Sequence, residues 1–95
     1  MSLIGAWEVD REDARALADL GDVLSKFDEY GDLTYTIRSR HKHQIIKLLY
    51  RIEGSVIITD QPSSPRTERT QFSLSDDGVL TLTFDGVPYR FRRVS

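Results

Sequence analysis

From residue 22 onward the chain repeats one pattern: short runs in which apolar and polar side chains alternate, separated by tight-turn signals. A period of two places alternate side chains on opposite faces of a strand, so each run reads as a strand with one buried face. Leu33, Tyr35 and Ile37 alternate with Thr34, Thr36 and Arg38. Residues 45–52 form the longest run, with Ile46, Leu48, Tyr50 and Ile52 on one face and Ile45, Lys47, Leu49 and Arg51 on the other. Thr70, Phe72 and Leu74 share a face, as do Leu80, Leu82 and Phe84, and then Tyr89, Phe91 and Arg93. Asp77-Gly78 and Asp85-Gly86 are strong hairpin turns, and Glu53-Gly54 is a third hairpin signal. Residues 23–27 and 55–59 are shorter strands, and Tyr30-Gly31-Asp32 is a turn. Pro62 and Pro65 make residues 61–65 a loop, because proline cannot donate to a central ladder.

The chain opens differently. Residues 3–9 are rich in strand formers. Asp10 then offers a side-chain cap for a helix of about ten residues, with Glu12 and Asp13 in a first turn where the dipole favours anions. Ala14, Leu17 and Ala18 make its apolar stripe, and Gly21 stops it. The expected fold is therefore all-β: a small antiparallel up-and-down barrel of about eight strands, with one short helix between the first two. Closure removes the exposed strand edges of such a meander. Residues 1–95 read as one domain, without internal repeat or composition break. The rings of Trp7, Phe27, Tyr35, Tyr50, Phe72, Phe84, Tyr89 and Phe91 are expected to fill the barrel or to leave a shallow pocket at one end.

Composition narrows the functions. The net charge is −2, which gives no global attraction to nucleic acid or anionic lipid. Without cysteine there is no disulfide, zinc–thiolate site or cysteine nucleophile. No apolar stretch has the length of a signal peptide or a membrane span, so a cytoplasmic location is expected.

Gly5-Ala6-Trp7 on the first strand, a helix at the barrel end and the arginine-rich last strand (Arg90, Arg92, Arg93) together resemble the lipocalin-like, or calycin, group. The resemblance is greatest to short bacterial lipocalin-like domains. It implies that Trp7 packs across the barrel bottom against one of those arginines. The chain departs from true lipocalins in its shortness and in placing the helix after the first strand. The resemblance thus implies a barrel more than a particular ligand.

Several groups of residues invite a chemical reading. His41 and His43 lie two apart, but Arg38, Arg40 and Lys42 around them disfavour a cation, and no metal or other cofactor is expected. The same basic stretch lacks interleaved aromatics for base stacking and reads as a solvated strand end. Ser63 and Ser64 lie between prolines without a nucleophile elbow, so no catalytic constellation is recognisable and no enzyme is expected. Residues 59–69 are the least generic segment, rich in hydrogen-bonding groups. Parity puts Arg66 and Glu68 on the face of Thr70 unless a bulge intervenes. They are then polar anchors at a barrel mouth, with Tyr35 or Tyr50 as inner hydroxyls, or else an exposed pair on a strand leaving the barrel. The second reading is preferred. On the first reading the candidate ligand-binding residues are Tyr35, Tyr50, Asp60, Arg66 and Glu68. The leading functional expectation is a non-enzymatic domain that binds a small apolar or amphipathic molecule at one barrel end. The alternative is an interaction domain, such as a homodimer, working through the apolar outer patch of Ile45 and Leu49.

Overall fold

The computed structural model of the chain describes residues 2–94. Its elements are β1 (Gly5–Val9), α1 (Ala14–Leu20), β2 (Asp22–Phe27), β3 (Asp32–Arg38), β4 (His43–Glu53), β5 (Val56–Asp60), β6 (Thr67–Leu74), β7 (Val79–Phe84) and β8 (Val87–Arg93). The eight strands follow one another around a closed antiparallel barrel. The last strand returns to the first through Trp7 opposite Arg93 and Val9 opposite Phe91. Asp85-Gly86 makes a two-residue hairpin connection between β7 and β8, with φ of 52° and 80°. Two consecutive residues with positive φ suit the right-handed twist of the strands they join.

The alternation seen in the sequence is the alternation of the wall. One inward row runs across the strands from Trp7 to Ser25, Tyr35 and Ile46. Further round, Ile57 faces Thr70, and Leu82 lies between Phe72 and Tyr89. The outward rows carry Lys26, Thr34 and Lys47, so the outer face is polar and the interior apolar. Ile58 points outward yet is buried, flanked across the ladder by Arg51 and Arg69, whose long stems shield apolar surface.

One end of the barrel is closed by packing. Trp7, Phe27 and Leu33 are buried there together with Leu3. Trp7 Nε1 donates to the Leu3 carbonyl at 2.9 Å, which satisfies the indole and draws the N-terminal segment under the barrel. The Arg93 guanidinium lies 4.3 Å from the centre of the Trp7 ring. It also donates to the carbonyls of Ile4, at 2.9 Å, and Ser2. Tyr50 packs edge-on against Phe27 with ring centres 5.1 Å apart.

The helix sits at the other end, and its position corrects the sequence expectation. Asp10 does not cap it. The cap is Asp13, whose Oδ1 accepts from Ala16 N at 3.1 Å. Asp10 is instead buried in the preceding turn, where it accepts from Glu12 N and from Arg92 Nε. The expected stripe of Ala14, Leu17 and Ala18 also shifts. Ala16 is fully buried, Leu17 and Leu20 pack against the core, and Ala14 and Ala18 are exposed. The physical reason is a tertiary tether: Asp13 Oδ2 accepts from Arg90 N on β8 at 2.9 Å, which sets where the helix starts and which side it turns inward. Two smaller boundaries move as well. The β4–β5 turn is Gly54-Ser55, with φ of 61° at Gly54, and Arg66 lies in the loop before β6.

The bond from Arg90 N holds the Asp13 carboxyl below its ordinary pKa of 3.8. Because the folded value is the lower one, its stabilisation is complete above the unfolded pKa and is lost as pH falls through the folded value. Asp13→Asn keeps a capping oxygen but replaces the acceptor that faces Arg90 N. We expect it to cost about 1 kcal/mol at pH 7, read from urea midpoints. The gap to the parent should shrink as pH falls below 3.8 and through the lower folded value, where the parent's own carboxyl gains a proton. A gap that stays constant with pH would show that the charge of the carboxylate adds nothing to the tether.

Candidate functional site

Where α1 covers the barrel mouth the interior is not filled. A cavity of about 290 Å³ opens there. Its apolar wall comes from Val23 on β2, Ile37 on β3, Ile46 and Leu48 on β4, and Phe84 on β7, with Leu20 of the helix above and the buried Phe91 of β8 below. Its polar groups are Tyr35, Thr59, Glu68, Thr70 and, from the helix, Asp19. At about 30 Å³ per water in the liquid, the volume matches roughly ten water-sized groups. A smaller recess of about 190 Å³ shares Tyr35, Ile46, Leu48, Thr59 and Glu68 with it and extends to Gln61 and Arg66.

The ladder explains why these groups converge. Glu68 lies directly opposite Thr59, and Thr70 opposite Ile57, in a register that runs without interruption from Asp60–Thr67 to Val56–Gln71. No bulge intervenes, so the parity that places Glu68 on the inner face holds. Glu68 nevertheless remains half in solvent at the rim, and Arg66 Nη2 pairs with its Oε1 at 2.8 Å. Glu68 thus lies at the mouth on β6, which stays in the barrel wall from Thr67 onward, while Arg66 reaches it from the preceding loop. Tyr35 lies deeper. Burial first, and the Glu68 charge second, push its hydroxyl up to a pKa of about 12, so it stays protonated across the physiological range. Asp19 is held by Tyr89, whose hydroxyl donates to Asp19 Oδ2 at 2.7 Å and clasps the helix to β8. That hydrogen bond, followed by burial, raises the Tyr89 pKa.

Of the five residues singled out in the sequence, the structure gathers Tyr35, Glu68 and Arg66 and separates the other two. Tyr50 faces inward but at the closed end, where its hydroxyl donates to the Asp28 carbonyl at 2.6 Å. Asp60 has the opposite parity to Thr59 and points out of the barrel. There it accepts from Thr67 Oγ1 at 2.5 Å and pairs with Arg51 at 3.4 Å. Thr59, in the singled-out segment, and Thr70, already placed on the inner face, were not named as binding residues, yet both line the cavity. Sequence reasoning also missed Asp19, which no local pattern marks, because its place depends on how the helix docks. Beside the cavity row, Ser25 Oγ is fully buried and has no hydrogen-bond partner among the described residues.

The remaining features lie elsewhere. His41 and His43 are exposed, in the bend and at the start of β4. Arg38 is taken up by two carboxylates, Asp22 at 2.6 Å and Glu8 at 3.2 Å. Ile45 and Leu49 are 59% and 48% exposed and border an outer groove with Pro62 and Ser63. Among the described residues no helix is long and apolar enough to cross a membrane. Compared with known proteins, the chain matches no family model, no curated protein and no solved structure.

Proposed function

We propose that this domain is a non-enzymatic carrier or sensor of one small amphipathic molecule, held at the helix end of the barrel. The observation that carries the proposal is the combination of an apolar cavity of about 290 Å³ with a few convergent polar groups. A mostly apolar concavity with a small number of placed polar groups is the usual build of a small-molecule site. The likeness of Gly5-Ala6-Trp7 and the C-terminal arginines to the lipocalin-like group supports the same reading, since the Arg93 guanidinium stacks on Trp7 as that group's pattern implies. The polar groups serve orientation. Tyr35 keeps its proton and so offers both a donor and an acceptor, and Thr59 and Thr70 add hydroxyls.

A second reading, pairing of two copies through the outer face of β4, is favoured by the exposure of Ile45 and Leu49. That patch is self-complementary in charge: Leu49 lies between Asp32 and Asp60 across the ladder, with Lys47 and Arg51 beside it on the same face. A twofold axis brings the cations of one copy to the acids of the other.

Native mass spectrometry of the protein purified from its own host tests both readings at once. A monomer carrying a small molecule, lost in a Thr59→Trp variant that fills the cavity, is the expected result. A ligand-free dimer that dissociates on Ile45→Lys supports pairing and removes the carrier reading as the leading one. A ligand-free monomer that takes up no added apolar probe overturns both.

A further inference from the structure

The charges around the cavity are lopsided. Two carboxylates, Asp19 on the helix and Glu68 on β6, belong to its lining, and among the described residues no basic side chain does. The nearest cation on the recess, Arg66, is 71% exposed and meets Glu68 on the solvent side. An ion pair so exposed is weak and leaves its acid available to another partner. Among the described residues Asp19 makes no ion pair, although Arg15 on the same helix lies near enough to act on Tyr89. Its hydrogen-bond partner is the neutral phenol of Tyr89.

On the carrier reading above, we propose that the bound molecule is a small primary amine with an apolar body, its ammonium group seated between Asp19 and Glu68. An ammonium has three donors and no acceptor, and the mouth supplies acceptors: two carboxylates and the hydroxyl oxygens of Tyr35, Thr59 and Thr70. The body lies against Ile37, Ile46, Leu48 and Phe91. Low-dielectric walls focus the field of the two acids into the opening, which favours a cation and repels an anion. A carboxylate ligand of the same shape enters against both charges and finds no buried cation to pair with. The volume sets the size, at on the order of ten non-hydrogen atoms if each takes about the share of a water.

Three probes of one chain length separate the possibilities. Octylamine, octanol and octanoate are titrated into the protein by calorimetry at pH 7 and low ionic strength. Octylamine is expected to bind about tenfold tighter than octanol, and octanoate more weakly than either. Raising the salt should narrow the amine's advantage. Glu68→Gln, at a half-exposed position that the fold does not need, should reduce the amine's affinity several-fold and leave octanol unchanged. Octanoate binding as well as or better than octylamine, or an amine preference untouched by Glu68→Gln, overturns the inference while the carrier reading stands. Failure of all three probes to bind overturns the carrier reading itself, and the inference with it.

Discussion

Trp7→Ala is expected to lower the stability of the fold by about 3–5 kcal/mol, a large share of what a domain this size has. Three losses coincide. The ring is fully buried, so its removal leaves a hole among Leu3, Phe27 and their neighbours. The indole hydrogen bond to the Leu3 carbonyl goes, which frees the N-terminal segment from beneath the barrel. The Arg93 guanidinium loses the aromatic face it lies on, while its bond to the Ile4 carbonyl remains. For a domain of about this length each kcal/mol moves the melting temperature by roughly 4–8 °C, so a fall of about 12–40 °C is expected. Trp7→Phe should fall between parent and alanine, because it keeps ring packing and loses the N–H donor. Thermal unfolding followed by far-ultraviolet circular dichroism checks both. A melting temperature within a few degrees of the parent would show that the closed end is not held by this residue.

Phe91→Ala is expected to have an effect of similar size with a different signature. Phe91 is 1% exposed and belongs at once to the packed core and to the cavity lining. Truncation removes about 3–5 kcal/mol by the same reasoning. Here, however, the lost volume joins an existing cavity rather than making a new sealed one. An apolar probe that occupies the enlarged space should therefore restore part of the loss. The recovery follows RT ln(1 + [L]/Kd), about 2.7 kcal/mol at a hundredfold excess over Kd. Octanol should raise the melting temperature of Phe91→Ala by more than that of the parent, and should leave Trp7→Ala no better off than the parent. Equal response of all three proteins would place octanol somewhere other than the cavity.

The two substitutions mark the two ends of the barrel, and the ends differed in how far they could be read from the residues. The wall itself was legible. Leu33-Tyr35-Ile37 and Leu80-Leu82-Phe84 alternate with polar residues, and Asp85-Gly86 supplies the two positive φ values that a tight hairpin needs. A strand's side-chain period and a turn's backbone geometry are local properties, so they survive in the order of residues. Once the faces were assigned and no bulge broke the register of β5 with β6, Tyr35 and Glu68 had to look inward.

What was not legible arises where distant segments meet. The start of the helix moved from Asp10 to Asp13 because a backbone N–H of β8 holds the second oxygen of the Asp13 carboxylate while the first caps the helix. The helix then turned Ala16 rather than Ala14 to the core, and this rotation put Asp19 at the mouth. Tyr50 shares a strand face with Ile46, yet lies too far along β4 to reach the cavity and is held by Asp28 instead. Parity tells which side of the wall a residue faces, but not how far along the barrel it sits. Depth depends on strand tilt and stagger, which closure of all eight strands imposes together. The alternation of residues thus sufficed for a barrel with an apolar interior. Only the packing of the helix against β8 and the closing stagger decided which end stayed open and which acids guard it.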